Sequence, residues 1–306
     1  MSVRVVLGVI VALVAIVAAI VIVQRGEKAE GHAAAPSAAP APRASWVRVD
    51  VPTSVALRGV SEGADVSYAV GDHGTVLARA NGERAWHVEN AGTDRALYGV
   101  AQRGDEVIAV GDGVIAEKSG GAWRVTSALE GGEPIGALRG AAFSGLGAIA
   151  VGDEGVFAKS ASGWRKATGA GVGFRGACAG LVETLVVGQG GTVLRAEGFA
   201  WKAEPRVTSD DLFAVTCDDR VAIAVGAHGT VIEKKDGRWS LVTTGGADLH
   251  GVGATFGMTS WVAVGDHGAT VRPLGEEAPS VASDLLAVAV GPQGEIAGAS
   301  DGLFSR

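Results

Sequence analysis

Three histidines occupy the same place in a recurring glycine turn: His73 in AVGDHGTVL, His228 in AVGAHGTVI and His267 in AVGDHGATV. Asp72 and Asp266 precede two of them. Imidazole and carboxylate are metal-ligand types, so a metal site is the first chemistry to weigh. Zinc needs its nitrogens at about 2.0–2.1 Å, whereas turns that belong to separate packed sheets lie about 10 Å apart. The turn itself accounts for the pattern, because glycine supplies positive φ and aspartate bonds its own turn backbone. No metal and no cofactor is expected.

A second group of residues differs from copy to copy. Upstream of each glycine turn, by fourteen residues in most copies and sixteen in one, stands an apolar anchor: Leu57, Leu97, Leu138, Phe174, Leu212, Leu249 and Leu285. The residues after the anchors are Arg58, Tyr98, Arg139, Arg175, Phe213, His250 and Leu286. Those before them are Ala56, Ala96, Ala137, Gly173, Asp211, Asp248 and Asp284. If each anchor opens an innermost strand, the two-residue strand period turns both flanks the same way. They then rim a central channel, with arginine on units one, three and four and aspartate on five, six and seven. Arginine pairs bidentately with carboxylates. Arg58, Tyr98, Arg139, Arg175, His250, Asp211, Asp248 and Asp284 are therefore a candidate surface for a polypeptide or carboxylate ligand. A ring of structural salt bridges between units is the competing reading.

The elements that must position these residues repeat seven times, every 34 to 41 residues or so. The seventh copy needs the spacing rule: AVGPQG at 289–294 looks like a glycine turn, but counting fourteen from Leu285 reaches Ala299, within AGASDGLF. Trp46, Trp86, Trp164, Trp201 and Trp239 precede the next anchor by ten or eleven residues, Trp123 by fifteen, and Leu274 takes that place in unit six. Their recurrence makes them packing residues between units. Each unit reads as four short strands punctuated by glycine and Asn/Asp turns. Four strands at this period fit propeller blades. After Gly302 only one strand remains for unit seven, while WVRVDV at 46–51 is a fourth strand with no unit before it. Pairing the two closes a ring and leaves no free sheet edge there. The expected fold is all-β, a seven-bladed β-propeller over 46–306 closed by an N-terminal strand.

AVGDxGTVL followed by a G-x-W turn resembles the bacterial neuraminidase-type repeat. More narrowly, it is similar to the photosystem II assembly and stability factor family of seven-bladed propellers and its non-photosynthetic relatives. The Asp-box of such repeats is shortened here: KKDGRW at 234–239 is nearest, while SGGAW at 119–123 and ASGW at 161–164 lack the aspartate. The resemblance implies a membrane-associated scaffold or assembly role and does not imply photosynthesis, because fold does not fix function.

Ahead of the propeller, Val5–Val23 is an unbroken apolar run behind Arg4. Its length matches the roughly 20 residues of a membrane-crossing helix and exceeds the usual 7–15 of a signal-peptide core. An uncleaved anchor over 1–24 is expected, then an Ala/Pro-rich linker over 25–45 that cannot form a core. No cysteine follows the run, which excludes a lipobox. Arg4 on one side and Arg25 and Lys28 on the other barely set orientation. The short head before the run favours a single-pass protein with its propeller outside the cytoplasm.

The chain carries a net charge of −7, which offers nucleic acid no basic stripe and argues against lying flat on anionic lipid. The two cysteines, Cys178 and Cys217, fall near the ends of first strands in neighbouring units. An exported chain could join them, although two unpaired core cysteines fit as well. P-loop, dinucleotide, CxxC and GxSxG motifs are all missing. The expectation is a non-catalytic scaffold that binds a protein or peptide partner. The alternative is a sialidase-like hydrolase using Arg58, Arg139 and Arg175 with Tyr98 as nucleophile. It lacks the Arg-Ile-Pro motif, six-bladed architecture and an evident glutamate to activate Tyr98.

Overall fold

The structure, a computed structural model, describes residues 45–145, 147–168, 173–273, 275–277 and 280–306. The expected anchor and linker, and Leu274, lie outside the described residues. Among the described residues no helix is long and apolar enough to cross a membrane. Ser45–Arg306 form one compact unit.

Seven four-stranded antiparallel sheets account for this unit. Blade one consists of Leu57–Glu62, Val66–Gly71, Thr75–Ala80 and His87–Asn90, and the first strands of blades two to six begin at Leu97, Leu138, Phe174, Leu212 and Leu249. Blade seven takes three strands from the C-terminus (Leu285–Gly291, Gly294–Ala299 and Gly302–Ser305) and its fourth, Val47–Val49, from the start of the propeller. Val47 pairs with Ser305 and Val49 with Leu303, so the ring closes as the surplus strand requires. The strand is shorter than the 46–51 expected. Arg48 adds an ion pair to Asp301, at 2.6 Å.

First strands neighbour one another all the way round, blade seven meeting blade one, which makes them the innermost. Anchor and turn are direct partners in every blade, from Leu57 opposite Gly71 to Leu285 opposite Ala299. AVGPQG at 289–294 is only the hairpin between the first two strands of blade seven, with Gly291 opposite Gly294.

Second strands are buried on both faces, and their near-continuous apolar sequence follows from that. Val70 packs with Leu97 and Val107 of blade two. Its neighbour Ala69, turned the other way by the strand period, packs with Ile296 and Leu303 of blade seven. Among the described residues seven apolar clusters result, one between each pair of adjacent blades. The tryptophans belong to these seams. Trp164 is 1% exposed in the seam of blades two and three. Trp46 packs into the seam of blades six and seven and donates from Nε1 to Thr270 Oγ1 of blade six, at 3.1 Å.

Two classes of glycine permit this packing by lacking a Cβ. At Gly99 and Gly140 in the first strands, a Cβ would sit 2.9 and 2.8 Å from the backbone oxygens of Arg139 and Arg175 in the next blade. At the turn glycine Gly152, a Cβ would sit only 2.1 Å from the Ala137 carbonyl oxygen. Cys178 and Cys217 form a disulfide with a Cα–Cα distance of 5.8 Å, joining the first strands of blades four and five.

Two measurements test this architecture. Gly152→Ala destabilises the propeller by about 1–3 kcal/mol in chemical unfolding, as overpacking at an unyielding backbone does; wild-type stability would contradict the close approach. Unreduced protein takes up no iodoacetamide by intact mass. Reduction lowers stability by about 3–4 kcal/mol, the chain-entropy value for a loop of this size.

Candidate functional site

The residue after each anchor is not an ordinary strand position. In blade one Leu57 pairs with Gly71 and Gly59 with Val70, so Arg58 is the extra residue of a β-bulge. The same irregularity follows the anchor in all seven blades, at Tyr98, Arg139, Arg175, Phe213, His250 and Leu286. Bulges re-aim a side chain. The simple two-residue alternation expected from sequence therefore fails here, and the residues before and after the anchor do different work.

The bulged side chains meet those just beyond the glycine turns of their own blades. Arg58 donates from Nε to Asp72 Oδ1 at 2.6 Å and from Nη2 to Oδ2 at 3.1 Å, a bidentate pair. Arg139 Nη2 lies 3.5 Å from Asp153 Oδ2, and His250 Nε2 lies 2.6 Å from Asp266 Oδ1. The hydrogen bond from Arg58 holds the Asp72 carboxyl below the usual carboxylate range against the opposing effect of burial. Turn aspartates Asp72 and Asp266 thus reach the channel mouth, a correction to the expectation that they bond their own turns. The histidines themselves take left-handed conformations, with φ of 56°, 55° and 55° at His73, His228 and His267. They project separately, on turns of blades one, five and six.

Between blades the contacts are aromatic. The guanidinium of Arg58 lies 5.7 Å and that of Arg139 4.8 Å from the ring centroid of Tyr98. Arg175 lies 5.7 Å from the centroid of Phe213, which stacks on His250 at 5.6 Å and 17°. Cation–π pairs of this kind contribute about 0.5–1 kcal/mol where exposed. Phe213, not singled out as a site residue from the sequence, is therefore part of the ring.

The aspartates before the anchors serve the adjacent blade's turn. Asp211 Oδ1 accepts the backbone N–H of Gly190, Asp248 Oδ1 that of His228 and Asp284 Oδ1 that of His267, each at 2.8 Å. The expected acidic half of the mouth is thus a set of cross-blade turn caps. The expected ring of inter-blade salt bridges is also revised: the ion pairs of the mouth lie within blades.

Arg175 stands apart. Blade four has Gln189 where blades one, two, three and six carry an acid, and the Gln189 amide lies against Gly173. Among the described residues no carboxylate pairs with Arg175, and its buried Nε has no hydrogen-bond partner. Arg139 of the neighbouring blade likewise leaves its Nε without one. Among the described residues the mouth's arginine without a carboxylate partner is therefore on blade four. Among the described residues no carboxylate contacts the Tyr98 hydroxyl.

No family model matches this chain, and no curated protein matches it. Solved structures do. A structure of YCF48 bound to D1 peptide superposes with a TM-score of 0.67 at 16% identity, covering 87% of this chain and 98% of that one. YCF48 from Cyanidioschyzon merolae gives 0.62 at 17%, covering 85% and 98%. The WD40 β-propeller domain of Doa1 gives 0.66 at 13%, covering 86% and 97%. At such identities the likeness is one of fold, and it supports the seven-bladed propeller; bacterial neuraminidase-type repeats are not shown by it.

The Arg58–Asp72 pair has a pH signature. A carboxylate with a depressed folded pKa contributes stability above its unfolded pKa of about 3.9 and loses it as pH falls through the folded value. Asp72→Asn should lower the urea midpoint at pH 7 by an amount equivalent to about 1 kcal/mol or less for so exposed a pair. The difference should shrink as pH falls below the usual carboxylate range and through the depressed Asp72 pKa. A constant difference would assign the loss to packing.

Proposed function

We propose that this protein is a membrane-anchored, non-catalytic propeller that binds a carboxylate-bearing polypeptide segment at the arginine-rich mouth of its channel. Arg175 carries the reading. It is a half-exposed guanidinium on an innermost strand that meets no carboxylate among the described residues. The other two arginines of the mouth, Arg139 on the adjacent blade and Arg58 on blade one, are already paired within their own blades. The Phe213 ring beside it suits the apolar part of a peptide.

The similar structures support the reading at the level of fold. One of them is a propeller of this architecture bound to a peptide, and others are WD40 domains. Catalysis is disfavoured by the mouth itself, where two guanidinium groups lie 5.7 and 4.8 Å from the Tyr98 ring and no carboxylate among the described residues contacts its hydroxyl. The expected anchor over 1–24 places the propeller at a membrane, with its partner there as well.

The test uses the propeller, residues 45–306, on a resin against solubilised host membranes, followed by affinity measurement with the recovered segment. Arg175→Ala should weaken binding ten-fold or more, since a charged hydrogen bond is worth about 1.5–3 kcal/mol. Its unfolding midpoint should fall by no more than the loss of one cation–π contact, about 0.5–1 kcal/mol. Arg58→Ala should chiefly lower stability. Binding that survives Arg175→Ala intact would end the proposal.

A further inference from the structure

Turns between first and second strands, and between third and fourth, lie at the sheet ends opposite the glycine turns. Four side chains there are the most exposed large apolar groups among the described residues. Leu181 and Val182 are 88% and 85% exposed between the first two strands of blade four. Phe199 is 80% exposed between its last two strands, and Phe256 is fully exposed between the first two strands of blade six. Single exposed apolar residues are ordinary. Four of them at the tips of turns on one face form a pattern.

These tips are also held in place. Asp219 of blade five reaches across to accept the backbone N–H groups of Val182, at 2.9 Å, and Glu183, at 3.2 Å. Those bonds, Val182 first, keep the Asp219 carboxyl below its ordinary range. The Cys178–Cys217 disulfide ties the same two blades at the root of this turn. Around Phe256, the Thr255 N–H donates to the Ser260 carbonyl at 2.9 Å and the Ser260 N–H donates to Thr255 Oγ1 at 3.0 Å. Met258 packs into the seam beneath. Rigid turns that hold apolar side chains out in water are built to enter an apolar phase.

The point of chain entry says which phase. Trp46 opens the fourth strand of blade seven, so the chain enters the propeller on this same face. Upstream of it lie the Ala/Pro linker and the nineteen-residue apolar run. Charges on the turns of the intervening blade five are mixed (Asp218, Asp219, Arg220, Lys235, Asp236, Arg238), Lys235 is paired with Glu233 at 2.8 Å, and Lys234 is buried against Glu183. That favours insertion over electrostatic attraction to anionic headgroups.

We infer that Leu181, Val182, Phe199 and Phe256 insert into the interfacial zone of a zwitterionic phospholipid bilayer, holding the arginine-rich mouth away from the membrane. The inference rests on the anchoring part of the function proposed above and not on its peptide site.

The test places an NBD fluorophore on full-length Phe199→Cys or Phe256→Cys protein in phosphatidylcholine vesicles; the native cysteines are bonded, so only the new thiol reacts. Asp94→Cys, exposed on the opposite face, is the control. Labels at 199 and 256 should be quenched several-fold more by lipid spin-labelled near the headgroup than by aqueous iodide, and the label at 94 the reverse. If protein floats with the vesicles yet labels at 199 and 256 respond like that at 94, bilayer insertion is wrong while anchoring stands. The tips would then be free or reserved for a protein. Protein that does not float would overturn both.

Discussion

A single hydrogen bond, made seven times, governs this molecule. The carbonyl oxygen of the residue before each anchor accepts the N–H of the residue after the facing turn position: Ala56 from Asp72, Ala96 from Asp112, Ala137 from Asp153, and so round to Asp284 from Ser300. It presses the end of the second strand against the start of the first. In six blades the residue pressed is glycine, and a Cβ there would overlap the accepting carbonyl. The first strand accommodates the closeness by carrying one extra residue. That extra residue is the one whose side chain rims the channel, so the constraint that makes the turns alike also creates the position where the blades differ.

Stability and binding are consequently divided between two faces of one motif. Second strands, buried on both sides, supply the seven apolar seams, and the closing strand completes the last of them. At the mouth, aspartates before the anchors cap the neighbouring turns while acids after the turns neutralise bulged cations. Once those demands are met, blade four is left with an arginine that has aromatic company and, among the described residues, no acid. A group that cannot be explained by the ring's own needs is where a ligand has most to gain, because a carboxylate arriving there displaces no existing ion pair.

Much of this was legible in the chain. Spacing from Leu57 to Gly71 and its copies located all seven blades, distinguished the hairpin at 289–294 from a true turn, and exposed Val47–Val49 as the missing strand of blade seven. The repeated tryptophans announced the seams. The mouth was only half legible. Its positions were found, but that Asp211, Asp248 and Asp284 each give one oxygen to a backbone N–H of the adjacent blade's turn could not be read from the chain. The pairing of Arg58 with Asp72 was visible as a fourteen-residue interval. It could not be interpreted without the bulge, which has no signature beyond the spacing already used for the strands.

The division follows from the range of the forces. Strand, turn and closure depend on periodicity and glycine placement, which are local properties copied in every repeat, so sequence alone determined them. Which acid meets which cation depends on angstrom-scale approach between strands and blades remote in the chain, where one extra residue reverses a side chain's direction. Only the tertiary structure could decide that Arg58 and Arg139 are spoken for, that the cysteines are close enough to bond, and that Arg175 is left facing the channel without a partner among the described residues.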